Sequence, residues 1–329
     1  MRVMVTGGAG YIGSHTVRHL TAAGHQVVVY DNLSTGFAWA VGDAPLVRGD
    51  LADHALLAET LNRNRFDAVL HFAAHTVVPD SVADPLRYYA NNTLNTWRLL
   101  QACAEAGVEH FVFSSTAAVY GMPEQMPVSE EAPLAPINPY GASKMMSERM
   151  LMDLGAASDL RYVSLRYFNV AGADPSGELG QATANATHLI KVACEAAVGQ
   201  RDGITVFGTD YPTPDGTCVR DFIHVDDLAR AHVQALAYLE EGGESRVLNC
   251  GYGRGYSVLE VIEAVKRCSG RDFQVRYGAR RAGDPGEVVA DNSRMLAALD
   301  WRPRYADLDT IVGHALAWEE EGLPRRLVR

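Results

Sequence analysis

The chain has 329 residues, 47% hydrophobic and 21% charged, a length and composition that suit a globular protein of two domains. Its 29 basic and 40 acidic residues leave a net charge of −11, which argues against nucleic acid or an anionic membrane as partner, since either calls for a basic surface. An anionic ligand would have to be held by local arginines against that field. Five scattered cysteines without a Cys-x-x-Cys pair read as reduced thiols. With no basic leader at Met1 and no apolar run near the ~20 residues of a membrane span, a cytoplasmic location is expected.

Along the first half, short β-branched runs alternate with amphipathic stretches. "VMVTG", "QVVVY", "PLVRG", "DAVLHF", "HFVFSS" and "RYVSLRYF" read as strands buried on both faces, and "HTVRHLTAAG" and "TLNTWRLLQACAEAG" as helices between them. This rhythm predicts an α/β fold, a doubly wound parallel sheet of the Rossmann type over residues 1–169, with ligands at the strand C-termini. After Asn169 the loops lengthen and fill with Gly, Pro and Asp, which predicts a second, smaller α/β domain over 170–329 that binds the substrate. The segment "VDDLARAHVQALAYLEEG", near 225–240, has helical periodicity and could pack back on the first domain.

In "VMVTGGAGYIGSH", Gly7, Gly10 and Gly13 stand between the first strand and the first helix, where backbone must approach a pyrophosphate closely. Asp31 closes the second strand, placed to accept from both ribose hydroxyls of adenosine and to repel the extra phosphate of NADP, so NAD is the expected cofactor. Asp50 ends the third strand and suits an adenine amino contact, whereas Asp53 reads as a helix N-cap. Small Ala73 and Ala74 end the fourth strand and let a flat cofactor lie close. His71 and His75 lack the setting of a zinc site and no metal is expected. His15 and His19 read as a solvated helix face.

Tyr140 and Lys144 are one helical turn apart in "NPYGASK", and a nearby ammonium favours a phenolate. Thr116 ends the fifth strand, where its hydroxyl can hold the reacting alcohol and relay a proton to Tyr140; Ser114 and Ser115 precede it.

Gly7-Gly8-x-Gly10-x-x-Gly13, the Thr116/Tyr140/Lys144 set and "NPYGASK" resemble the extended short-chain dehydrogenase/reductase family. "RYFNVAG", "TDYPTPDGTCVRDFIHVDDLA" and "RRAGDP" resemble its nucleotide-sugar 4-epimerases in particular, and the likeness runs the length of the chain. The resemblance implies reversible epimerisation of a UDP-hexose at C4, between UDP-glucose and UDP-galactose. The sugar is transiently oxidised by tightly held NAD, and hydride returns to the opposite face. It implies Tyr140, Lys144 and Thr116 as the catalytic set. Further dinucleotide contacts come from Tyr11, Ile12, Asn32, Leu51, Phe72, Asn91, Ser114 and Tyr167. Arg220 and Arg281 would anchor the diphosphate and Asp284 the uridine ribose, with Asn169, His188, Leu189 and Phe207 around the UDP. Arg220 could instead merely pair with Asp221 or Asp226. A homodimer is also implied, built from the helices of "PLRYYANNTLNTWRLLQACAEAG" and the one from Pro139.

Thr116 stands where many relatives have Ser, and Val288 where some carry a bulky tyrosine, which suggests a pocket open to N-acetylated hexoses. A uronate or pentose 4-epimerase would share the first domain. A 4,6-dehydratase would need an Asp-Glu pair at the positions of Ala117 and Ala118. A non-catalytic NAD-binding protein would have no use for Thr116, Tyr140 and Lys144 together.

Overall fold

In the computed structural model, which describes residues 1–184, 186–281 and 283–327, strand β1 (Arg2–Thr6) buries Val3, Met4 and Val5 completely. The pleat sends Val3 and Val5 into one apolar cluster and Met4 into another, as a strand covered on both faces requires. Strands β2 (Gln26–Asp31), β3 (Leu46–Arg48), β4 (Ala68–His71), β5 (His110–Thr116) and β6 (Arg161–Tyr167) join it in parallel, in the order β6-β5-β4-β1-β2-β3. Helix α1 (Tyr11–Ala22) adds Val17 and Leu20 to the first cluster. On the other face lie α2 (His54–Asn64), α5 (Asn95–Ala106) and α6 (Pro139–Ala157), with α3 (Val78–Ala83) and α4 (Pro85–Tyr88) packed on α6. Asp53 caps α2, accepting from Leu56 N at 3.1 Å, and Asn138 caps α6, accepting from Gly141 N at 2.8 Å.

The chain steps outward from β1 to β2 and β3, then returns to the other side of β1 as β4. That reversal opens a crevice at the C-terminal ends of β1 and β4, the usual ligand position in an open parallel sheet.

A second unit starts with β7 (Asn169–Ala171), α7 (Leu189–Ala197), β8 (Ile204–Phe207) and β9 (Val219–His224). The chain then comes back: α8 (Val225–Glu240) lies against α1, and β10 (Arg246–Cys250) extends the large sheet beside β6. The large sheet therefore takes its seventh strand and a covering helix from beyond residue 169. It leaves again through β11 (Gly255–Ser257), α9 (Val258–Ser269), β12 (Val275–Gly278) and β13 (Glu287–Val288). Helix α10 (Ser293–Ala298) returns to β10, and α11 (Leu308–Ala317) packs on α7 and α9. Strand β9 carries β7, β11 and β13, while β8 pairs with β12. Two carboxylates clasp the crossings. Asp221 accepts from Tyr252 N and Gly253 N, each at 2.9 Å, and Asp227 from Tyr252 Oη at 2.7 Å and from Arg304 N and Tyr305 N.

The return of α8 overturns the expected solvated face of α1. His15 is buried with Nδ1 2.8 Å from Tyr11 O, and His19 Nε2 lies 2.6 Å from Asp226 Oδ1. All five cysteines are free thiols and four are buried; among the described residues no helix is long and apolar enough to cross a membrane.

Burial holds His15 and His232 at about 4, and burial with His314 holds His224 at about 3, against an ordinary 6.5. Between pH 6.5 and 4 the folded chain therefore binds fewer protons than the unfolded one, so stability present above pH 6.5 is lost as the pH falls through that window. Asp221, raised to about 6 by burial, and Glu319, also raised by burial, work in the opposite sense but are two groups against the three histidines. The urea midpoint should change little from pH 8 to 7 and drop steeply from pH 6.5 to 4; a level midpoint across that range would contradict this assignment.

Candidate active site

The loop from β1 to α1 touches the end of β4. Gly7 has φ +71°, and a Cβ there would sit 2.5 Å from Ala73 N; on Gly13 it would sit 2.2 Å from Gly7 O. Only glycine permits this close stacking. Gly10 is the N-cap of α1 and offers no side chain to its free N–H groups, and the first turn holds no acid. The helix thus presents donors to an anion. Asp31 accepts from Ala9 N at 2.9 Å and Leu33 N at 2.8 Å. Two of its roughly four lone-pair sites remain for hydroxyl donors. Asn32 donates to Asp50 Oδ2 at 2.7 Å, joining the ends of β2 and β3. A loop that a Cβ would fill, a donor-rich helix end and a pinned carboxylate fit a dinucleotide.

Several expected cofactor residues turn their side chains elsewhere. Ile12 and Phe72 pack on the first core cluster, Phe72 with its ring 4.7 Å from that of His232, and Leu51 lies in the second. Tyr11 Oη donates to Gly172 O at 2.6 Å, tying the glycine loop to the second unit. Asn91 donates to Asn92 Oδ1 at 3.1 Å, but Asn92 is the buried member. It bonds His75 O at 2.9 Å and Ser143 Oγ at 3.0 Å, holding the loop after β4 to α6. Ala74 follows Ala73 at the mouth of the crevice, half-buried.

At the end of β5, Lys144 Nζ donates to Ser114 O at 2.9 Å and lies 4.9 Å from the centroid of the Phe113 ring. Ser114 Oγ shares a hydrogen bond with Tyr167 Oη, and Ser115 Oγ donates to Glu148. Thr116 Oγ1 accepts from Ala118 N at 3.1 Å, and its hydroxyl favours the ionised form of the Tyr140 phenol. Tyr140, Lys144 and Thr116 are all buried.

Their protonation departs from the expectation drawn from helical spacing. Burial pushes Tyr140 up to about 12; the Thr116 hydroxyl opposes this, Tyr88 adds to it, and Lys144 is not among the groups that lower it. Burial pushes Lys144 down to about 7, opposed by the Glu148 carboxylate. One turn of helix aligns the two residues, but desolvation outweighs what their separation can do and the ammonium is spent on a carbonyl.

In the second unit, Arg220 pairs with neither suggested neighbour. Asp221 binds backbone and Asp226 binds His19, while Arg220 Nη2 lies 3.8 Å from Asp284 Oδ1. The Arg281 guanidinium covers the Phe207 ring at 3.9 Å, and Arg280 covers Tyr211 at 4.1 Å while bonding Asp210 at 2.6 Å. The loop at 208–218 thereby meets the loop at 279–286, and four of the expected UDP residues come together in two contacts. Arg280 and Tyr211 in this cluster escaped sequence reasoning, although "TDYP" and "RRAG" were in view. Asn169, His188 and Leu189 line a separate cavity with Gly172, Lys191 and Glu319; burial lowers His188, whose Nδ1 is 2.9 Å from Gln181 Nε2.

A glycine loop at the switch point, an acid closing β2 and a buried Thr–Tyr–Lys set at the end of β5 define a dinucleotide-dependent protein of the short-chain dehydrogenase/reductase class. The chain belongs to the NAD dependent epimerase/dehydratase family, whose model matches residues 3–251. It is 57% identical to a UDP-glucose 4-epimerase of Azospirillum brasilense, over 97% of this chain and 92% of that one. Among solved structures it resembles the Brucella ovis UDP-glucose 4-epimerase in complex with NAD, with TM-score 0.94, 48% identity and 98% of both chains covered. The UDP-Glc/GlcNAc 4-epimerase of Campylobacter jejuni gives TM-score 0.86 and 50% identity, covering 97% of this chain and 99% of that one.

Gly13→Ala should lower stability by about 2 kcal/mol or more, because the clash is with backbone that cannot swing away. NAD carried per purified chain should fall at least about tenfold, read by absorbance after denaturation; a variant with wild-type NAD content would refute the role given to this loop.

Proposed function

We propose that this protein is a UDP-hexose 4-epimerase, interconverting UDP-glucose and UDP-galactose with NAD retained between turnovers. The observation that carries the reading is Thr116, Tyr140 and Lys144 buried together at the end of β5, with Lys144 anchored on Ser114 O. Ala117 and Ala118 follow directly, with no side chain able to give or take a proton. That absence of a second acid–base pair favours epimerisation over elimination of water.

When bound, oxidised NAD supplies a hydride acceptor that can also return the hydride, and a positive charge near the phenol. The protein's part is positional and electrostatic. Tyr140 takes the proton of the sugar 4-hydroxyl and gives it back, with Thr116 hydrogen-bonded to the same oxygen. Lys144, anchored on Ser114 O, presents its remaining N–H donors at the crevice. Gly7, Gly10, Gly13, Asp31, Asn32 and Asp50 hold the dinucleotide. Arg220, Arg281, Asp284 and Phe207 hold the diphosphate and uridine, with Asn169, His188 and Leu189 beside them. A firm grip there leaves the hexose free to present either face.

Val288 faces an apolar cluster with Val119, Tyr120 and Phe168, and Ala117 packs against it. Its small volume so near the Thr116 turn supports acceptance of N-acetylated hexoses, as does the likeness to the Campylobacter enzyme. The exposed Leu94, Trp97 and Met146 line an apolar groove with Tyr89, Thr93 and Met150 along α5 and α6. Such a face supports a homodimer of paired helices. The same reading assigns the enzyme to galactose metabolism in the cytoplasm, where unpaired thiols stay reduced.

Purified protein given UDP-galactose and no added cofactor should form UDP-glucose. Tyr140→Phe should lower kcat by about 10²–10⁴ without loss of NAD, and an unimpaired variant would remove the phenol from the mechanism. Val288→Tyr should cut kcat/KM for UDP-N-acetylgalactosamine at least about tenfold more than for UDP-galactose, a loss of the size one pocket contact can carry. Equal losses on both substrates would count against the pocket assignment.

A further inference from the structure

Behind the catalytic helix lies a charged pair that the mechanism leaves unused. Glu148 is one turn beyond Lys144 on α6 and only 1% exposed. Its carboxylate accepts from Arg166 Nε at 2.9 Å and Nη2 at 2.6 Å, a two-pronged grip, and from Ser115 Oγ. Arg166, on β6, donates further to Tyr120 Oη at 3.0 Å, and Tyr120 donates to Asn249 Oδ1 of β10 at 2.6 Å. Ser115 immediately precedes Thr116. One carboxylate therefore touches the strand that carries the proton-relaying hydroxyl, sits on the helix that carries Tyr140 and Lys144, and is fastened to the next strand.

A buried ion pair is poor value as a staple, since well-packed apolar groups often do as well or better. Its position gives it another use. The groups facing Lys144 are the Ser114 carbonyl and Phe113 ring of β5, His71 of β4, and Tyr140 and Glu148 of α6. His71 is bonded to Thr6 at 2.7 Å and Thr96 at 2.9 Å, and burial, with Lys144, holds its pKa far below the ordinary value. Glu148 is then the one anion in the set.

We propose that Glu148 is a positioning residue of this site: its carboxylate locks the Thr116 strand to the catalytic helix and keeps Lys144 in its charged form. The bearing on turnover rests on the epimerase reading; the effect on the lysine does not. Burial drags Lys144 toward neutrality, and the Glu148 carboxylate, one turn along the same helix, opposes it. Arg166 keeps the carboxylate in place from the far side, so its bonds orient Glu148.

The chain contains only three lysines, Lys144, Lys191 and Lys266, so protein grown with lysine labelled at Cε gives three resonances. Comparison with Lys144→Met assigns the relevant one. In the wild type it should titrate near pH 7. In Glu148→Gln it should titrate about 1 pH unit or more lower, the loss expected when a close opposite charge is removed. Should the lone Arg166 prevent that variant from folding, Glu148→Gln/Arg166→Met removes both charges and should move the resonance the same way. The alkaline limb of kcat/KM for UDP-galactose should shift acidward in step. A folded variant whose Lys144 resonance stays put, or whose kcat/KM falls equally at every pH, overturns the proposal. A shifted resonance in a protein whose wild type turns over no UDP-sugar would sustain the role of Glu148 and sink the epimerase reading instead.

Discussion

Desolvation at the end of β5 governs how this site is built. Putting a phenol and an ammonium where water is excluded pushes Tyr140 up to about 12 and Lys144 down to about 7, so both drift toward their neutral forms. Three groups oppose that drift. The Thr116 hydroxyl favours the ionised phenol, Ser114 O receives the ammonium, and Glu148 supplies negative charge behind the lysine. Among the described residues no cation lowers the Tyr140 phenol, and an oxidised nicotinamide carries a positive charge. A site that needs its cofactor's charge as well as its redox chemistry has a physical reason to keep the cofactor.

The sheet topology serves the same end. Reversal of strand order between β1 and β4 brings Gly7 against Ala73 and opens the crevice. The chain then crosses between its two units several times, and the crossings are clasped by buried carboxylates: Asp221 on the turn after β10, Asp227 on Arg304 N and Tyr305 N. Strand β9, which carries Arg220, leads directly into α8, which covers the first helix of the dinucleotide fold, so the two units are joined by one continuous piece of chain.

Much of the fold was legible because its signals are local. Continuous apolar runs meant two-sided strands, and the glycine spacing with Asp31 meant a dinucleotide turn, since both depend on residues within one βαβ segment. The histidines of α1 were misread for the opposite reason. A helix face looks solvated until another element covers it, and α8 arrives from 210 residues downstream. Leu51, after β3, is buried in the core, while Ile12, in the first turn of α1, and Phe72, after β4, are partly buried against it, because the direction of each side chain is set by the sheet beneath it.

The catalytic set divides along the same line. By itself the sequence determined the alternation of strands and helices, the glycine turn after the first strand, and the spacing of Tyr140 and Lys144 on one helix face, because these follow from backbone geometry within a few turns. Only the tertiary structure decided where the ammonium points, which carboxylate stands behind it, and how far burial moves the phenol. Those depend on Ser114, Glu148 and Arg166, which three separate elements bring together, and on the exclusion of water that their packing creates.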